Sequence, residues 1–185
     1  MKLKYLRQVL GAIDAASDWA GRLSAYLIPV MMLIMTWEVV ARYLLRQPTI
    51  WAMETSQYLF LATTVLGGGY LLLHGGHVNV AILYGRLSTR IRALFDVATS
   101  FFFFLFIGAL LRSTWMNTVD AVVDLEHSPT YWGPPIYPVY IVMTLGVVLL
   151  LLQGLAKLIR DVMTAITGKE ELSSRVAAGR QDQEP

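Results

Sequence analysis

Glu38 and Arg42 are the residues of this chain best placed to do chemistry, because both fall inside a long apolar run, Leu23–Leu45. An ionisable side chain within a membrane helix is costly and marks a functional site by default. Here the two stand four apart with the carboxylate on the N-terminal side, the spacing at which they neutralise each other on one helix face. Glu38 is then either a proton or cation site, or half of a structural lock against a neighbouring helix. The lock is the favoured reading, since Arg42 lies near the end of its run and can reach the headgroups.

The histidines raise a second possibility. His74 and His77 flank Gly75-Gly76 and invite a metal or haem assignment. No third ligand stands nearby at suitable spacing. Haem held across a bilayer would need facing histidines at one depth on different helices. The chain has no cysteine, which excludes disulfides, thiolate metal sites and cysteine nucleophiles. It also has no glycine-rich phosphate loop, no nucleophile motif and no paired carboxylates. No cofactor and no enzymatic activity are expected.

The elements that must position these residues are membrane helices. Four apolar runs, Leu23–Leu45, Gln57–Leu73, Ala93–Trp115 and Ile136–Ile159, approach or exceed the roughly 20 residues that a bilayer-crossing helix needs. They predict spans at about 23–45, 53–73, 93–115 and 136–159. Twelve of the fifteen Lys and Arg fall on one side of that arrangement, leaving only Arg42, Arg46 and Arg112 for the other. Basic residues are retained in cytoplasmic loops, so both termini and the middle loop face the cytoplasm. A composition that is 56% hydrophobic agrees, and the small net charge of +2 gives no nucleic-acid patch. A cleavable signal peptide is not expected, since the first long apolar run begins only near Leu23.

The remaining segments have patterns of their own. Leu3, Leu6, Leu10 and Ile13 recur at helical spacing beside Lys2, Lys4 and Arg7, which suits an interfacial helix over 2–20. Val80, Leu83, Leu87 and Ile91 suggest another over 78–92, with Arg86 and Arg90 on a different face. A third is expected over 113–126, carrying Asp120, Asp124 and Glu126 as an acidic patch on the outer side. That patch is either a solvated face or a surface that receives a soluble protein. Thr63 with Gly67, and Thr64 with Gly68, place small residues four apart, where helix backbones can approach closely. The fold expected is an all-α four-transmembrane-helix bundle with additional interfacial helices. Residues 1–167 form one domain, and 168–185 form a polar tail expected to be disordered.

The run Trp37-Glu38-Val39-Val40-Ala41-Arg42-Tyr43, followed by Trp51-Ala52-Met53-Glu54, resembles the DctQ family. These are the small permease subunits of tripartite ATP-independent periplasmic (TRAP) transporters. Gly67-Gly68 ahead of His77-Val78-Asn79-Val80 is similar to that family's glycine-then-histidine signature. Ser128-Pro129, Pro135 and Gly146 also fit its pattern, and the likeness covers roughly residues 20–160. Thr55, Asn79 and Ala81 depart from it.

The resemblance implies a multi-pass protein of the bacterial inner membrane, within a transporter that takes up an organic acid by ion-coupled symport. A periplasmic solute-binding protein delivers the substrate, and a large permease subunit carries the substrate and sodium sites. The small subunit packs against the large one and stabilises it. Glu38, Arg42, Glu54, Gly67, Gly68 and His77 are then subunit-interface candidates, and Asp120, Asp124 and Glu126 a docking face for the binding protein. Three other readings stand beside this one: a homo-oligomeric channel or transporter using Glu38, an electron-transfer subunit using His74 and His77, and a membrane scaffold protein.

Overall fold

The computed structural model describes residues 2–74 and 89–167. Four helices account for nearly all of them: α1 (Lys2–Tyr43), α2 (Ala52–Leu73), α3 (Thr89–Val123) and α4 (Tyr137–Thr167). Each is long and apolar enough to cross a membrane. By the charge bias, the end bearing Lys2, His74 and Thr167 is the cytoplasmic end.

Two expected interfacial helices are continuous with spans. Residues 2–20 and the first span form a single helix of 42 residues. Nothing between Ala20 and Leu23 interrupts it, because Gly21 lowers helix propensity without removing a hydrogen bond. Residues 113–123 likewise extend the third span, with no proline or glycine to break the chain after Gly108. Of the third expected interfacial helix, Thr89–Arg92 form the first turn of α3, and the rest of 78–92 lies outside the described residues. So do His77 and the 168–185 tail.

The helix ends follow from local chemistry. Arg46 adopts a left-handed conformation (φ 53°) just after α1. The Gln47 N–H there donates to Ala41 O at 2.9 Å, and Pro48 forbids further helix. Past α3, Leu125 (φ 47°) sets a Schellman-type turn in which the Glu126 N–H donates to Ala121 O at 3.0 Å. The outer connection closes on itself: Ser128 N–H donates to Pro134 O at 2.8 Å and Ile136 N–H to Glu126 O at 2.9 Å.

The bundle is open, with α4 at its centre. α4 packs extensively on α3 and α2 and more lightly on α1, while α1 packs mainly on α2. Close approach is built from small residues. A Cβ on Gly21 would sit 2.3 Å from Tyr70 Cβ, so α1 meets α2 only because position 21 has no side chain. A Cβ on Gly146 would come 3.1 Å from the backbone carbon of Val65, tying α4 to α2 in the same way. Large apolar side chains remain exposed on every helix, among them Leu33, Phe60, Phe102 and Leu145. Such a surface requires lipid or protein around it.

Candidate functional site

Glu38 sits at the outer end of α1, and its partners are local. Arg42 Nε donates to Glu38 Oε1 at 2.9 Å across one helical turn. The second carboxylate oxygen accepts from the Thr49 backbone N–H at 3.0 Å and from the Thr49 hydroxyl. The buried carboxylate therefore ties the Leu44–Trp51 connection back onto the helix it leaves. Both oxygens are engaged, which uses Glu38 for structure on the α1–α2 turn.

Glu54, in the first turn of α2, organises the other outer connection. Tyr58 OH donates to Glu54 Oε1 at 2.9 Å, and the Thr130 hydroxyl donates to Oε2 at 2.8 Å. Thr130 also accepts from Ser128 Oγ at 3.2 Å. The carboxylate thus moors the α3–α4 connection to α2 across 76 residues of sequence. Asp120, Asp124 and Glu126 lie just beside this loop, at the end of α3 and in the turn after it, and all three are exposed.

Gly67 and Gly68 are occupied within the chain. A Cβ at Gly67 would meet Ser24 Oγ of α1 at 3.5 Å, and one at Gly68 would meet Leu150 of α4 at 3.6 Å. Both are ordinary contact distances, so these two positions are close-packed without being strictly glycine-only.

The richest polar cluster is cytoplasmic and was not singled out from sequence. Asp14 of α1 accepts from Arg160 Nη2 at 2.7 Å and from Gln153 Nε2 at 3.1 Å, both on α4. Ser17 Oγ donates to Gln153 Oε1 at 3.0 Å. Asp14, Ser17 and Gln153 are buried. Leu10 and Ala156 pack beneath them, with Leu6, Ile13 and Met163 around the pair. The available signal was a run of polar residues on the apolar ridge Leu6–Leu10–Ile13, met by Gln153 inside an otherwise apolar helix.

Further charges ring the same level. His74 stacks on Tyr70 with ring centroids 3.9 Å apart, and its Nδ1 lies 3.0 Å from Tyr70 O. Its Nε2 stands 3.9 Å from Asp18, which also pairs with Arg22 at 2.8 Å. Lys157 joins Asp161 at 2.8 Å and Asp96 of α3 at 3.6 Å. Higher up, the Thr118 hydroxyl bridges α3 to Tyr140 O at 3.0 Å and Thr144 Oγ1 at 2.8 Å on α4. Among the described residues, no three His, Asp or Glu side chains gather closely enough to hold a metal ion.

Four helices able to cross a membrane, internal ion pairs that staple helix ends and loops, and a broad apolar exterior define a polytopic membrane protein built around packing. The sequence profile of the tripartite ATP-independent periplasmic transporters, DctQ component, matches residues 31–164. The chain belongs to this family. It is therefore a component of an inner-membrane transporter and not an enzyme. It is similar to the sialic acid TRAP transporter small permease protein of Vibrio cholerae, 23% identical over 111 residues that cover 60% of this chain and 61% of that one. It is also similar to the ectoine TRAP transporter small permease protein of Halomonas elongata. That identity is 25% over 183 residues, covering 95% of this chain and 90% of the relative.

Proposed function

We propose that this chain packs beside the large permease subunit of a TRAP transporter and stabilises it during ion-coupled uptake of an organic acid. A periplasmic binding protein supplies the substrate. The observation that carries this reading is where the polar groups are spent. Glu38, Glu54, Asp14 and Thr118 each bind other parts of the same chain, while the apolar exterior runs along all four helices. A substrate or ion pathway needs polar groups facing a cavity. A supporting subunit needs a rigid body and an apolar face.

In this account Glu38, Arg42, Glu54, Gly67 and Gly68 act on the subunit contact indirectly, by fixing the body that presents it. His77, outside the described residues, is assigned to the same contact on the family resemblance alone. The exposed acidic residues Asp120, Asp124 and Glu126 lie on the outer face and suit a basic patch on the binding protein. The relatives' names, which pair small permease proteins with sialic acid and ectoine transport, fit uptake of a small organic solute.

The test is uptake of candidate organic acids into proteoliposomes assembled with and without this chain. Transport should need this chain together with the large subunit and the binding protein. Uptake by this chain alone, abolished by Glu38→Gln, would instead establish a self-sufficient carrier.

A further inference from the structure

One stripe of α1 faces away from the bundle and is apolar from end to end. Tyr5, Val9, Ala12, Ala16, Trp19 and Leu23 are all exposed, Tyr5 at 66% and Trp19 at 68%. Their separations alternate between four and three, which is a heptad repeat. Tyr26, Val30, Leu33 and Trp37 continue the same alternation to the outer end, and all are exposed. The stripe lies opposite Leu10, Asp14 and Ser17, the buried face that α1 turns towards α4.

Lipid tails can cover only part of it. A hydrocarbon core about 30 Å thick takes roughly 20 helical residues at about 1.5 Å each. Counted from Tyr43, that length ends near Leu23, and the charges agree, since Arg22, Asp18 and Asp14 follow at once. The apolar stripe nevertheless runs on from Leu23 to Tyr5, roughly 27 Å further. Headgroups cover about another 5–7 Å of it, and the apolar face that extends past them is left to a protein contact. Asp14–Arg160 and the Leu6–Met163 cluster pin this segment to α4, so the stripe is presented as a rigid ridge.

The repeat also selects the occupant. A seam with period 3.5 stays in contact only with another helix crossing at a shallow angle, about 20°. Ala12 and Ala16 form a shallow notch between Val9 and Trp19. In a parallel pair of identical chains, symmetry would set Trp19 against Trp19 and alanine against alanine, leaving the notch unfilled. A different helix with large side chains at that level fills it.

We propose that the α1 stripe docks a helix of the large permease subunit that runs out of the membrane beside it, so the contact between subunits extends into the cytoplasm. This rests on the accessory-subunit reading. The chain has no cysteine, so single cysteines can be read without background. Val9→Cys, Ala12→Cys and Ala16→Cys test the cytoplasmic stripe. Leu33→Cys tests the membrane stripe, and Ala15→Cys and Arg22→Cys are exposed positions off it. Each full-length variant is expressed with its large subunit and labelled in native membranes with a thiol-reactive benzophenone. It is then irradiated, and the adduct's mass is read by immunoblot and mass spectrometry.

Positions 9, 12 and 16 should give adducts with the large subunit several-fold more strongly than 15 and 22. Adducts at 33 but not at 9, 12 and 16 would overturn the inference while leaving the accessory-subunit reading intact. Adducts of twice this chain's mass, or lipid adducts alone, at 9, 12 and 16 would also overturn it. A large subunit that crosslinks nowhere and does not co-purify would remove the reading beneath it as well.

Discussion

Asp14 and Arg160, 146 residues apart in sequence, meet at 2.7 Å where α1 and α4 leave the membrane. Their side chains are 8% and 15% exposed, so the charges are desolvated together. Removing one member of such a pair strands the other, at a cost of about 3 kcal/mol or more, whereas replacing both with apolar groups of similar size is often tolerated. Asp14→Ala should therefore lower the thermal stability of the purified protein markedly. Asp14→Leu combined with Arg160→Met should recover much of the loss. A single variant as stable as the parent would contradict the pairing.

Gly21 carries a steric prediction. Gly21→Ala forces a methyl group into Tyr70 Cβ, an atom that cannot move without its backbone. Overpacking of this kind costs about 1–3 kcal/mol. Gly21→Ala should lower the melting temperature in detergent, and adding Tyr70→Gly, which removes the Cβ that alanine would keep, should relieve the clash. If Gly21→Ala is neutral, α1 and α2 do not approach as closely as described.

Thr118→Val should do little by comparison. It removes the hydroxyl that bridges Tyr140 O and Thr144 Oγ1, but inter-helix hydrogen bonds in membranes average only about 0.6 kcal/mol. A small shift in unfolding by denaturing detergent is expected, with no change in complex recovery.

Glu54→Ala should loosen the α3–α4 connection. Thr130 loses its acceptor and the 126–136 loop its mooring to α2, so protease added to the outer face should cleave there faster than in the parent. Glu38→Ala should leave that loop alone and increase cleavage in 44–51, because Thr49 is the residue Glu38 holds. Equal protection of both loops in both variants would show that neither carboxylate holds its loop.

The four helices and the Glu38–Arg42 pair were legible because they rest on local rules, apolar run length and i,i+4 spacing. Where sequence reasoning divided α1 into an interfacial helix and a span, its cue was the shift from mixed to apolar composition near Leu23. Backbone hydrogen bonding ignores that shift, no proline stands at it, and the helix continues through Pro29 further on. Glu38's second partner, Thr49, lay beyond reach because the turn through Arg46 that brings it back is set by a backbone dihedral. The Asp14–Gln153–Arg160 cluster was missed for a different reason. Taken alone, Asp14 resembles a polar residue on an interfacial helix face, Gln153 a lone polar residue in an apolar span and Arg160 a charge at its end, and only the antiparallel register of α1 and α4 makes them a unit. Gly67 and Gly68 face Ser24 of α1 and Leu150 of α4 at ordinary contact distances, and which helices they meet depends on the open order of the bundle.

The most direct test of the central claim is to tag this chain in its native membrane, extract it gently, and weigh and identify what co-purifies. The account predicts a stoichiometric complex with one much larger polytopic membrane protein, and loss of that complex when the α1–α4 clamp is broken by Asp14→Ala. Recovery of this chain only with copies of itself would contradict the account.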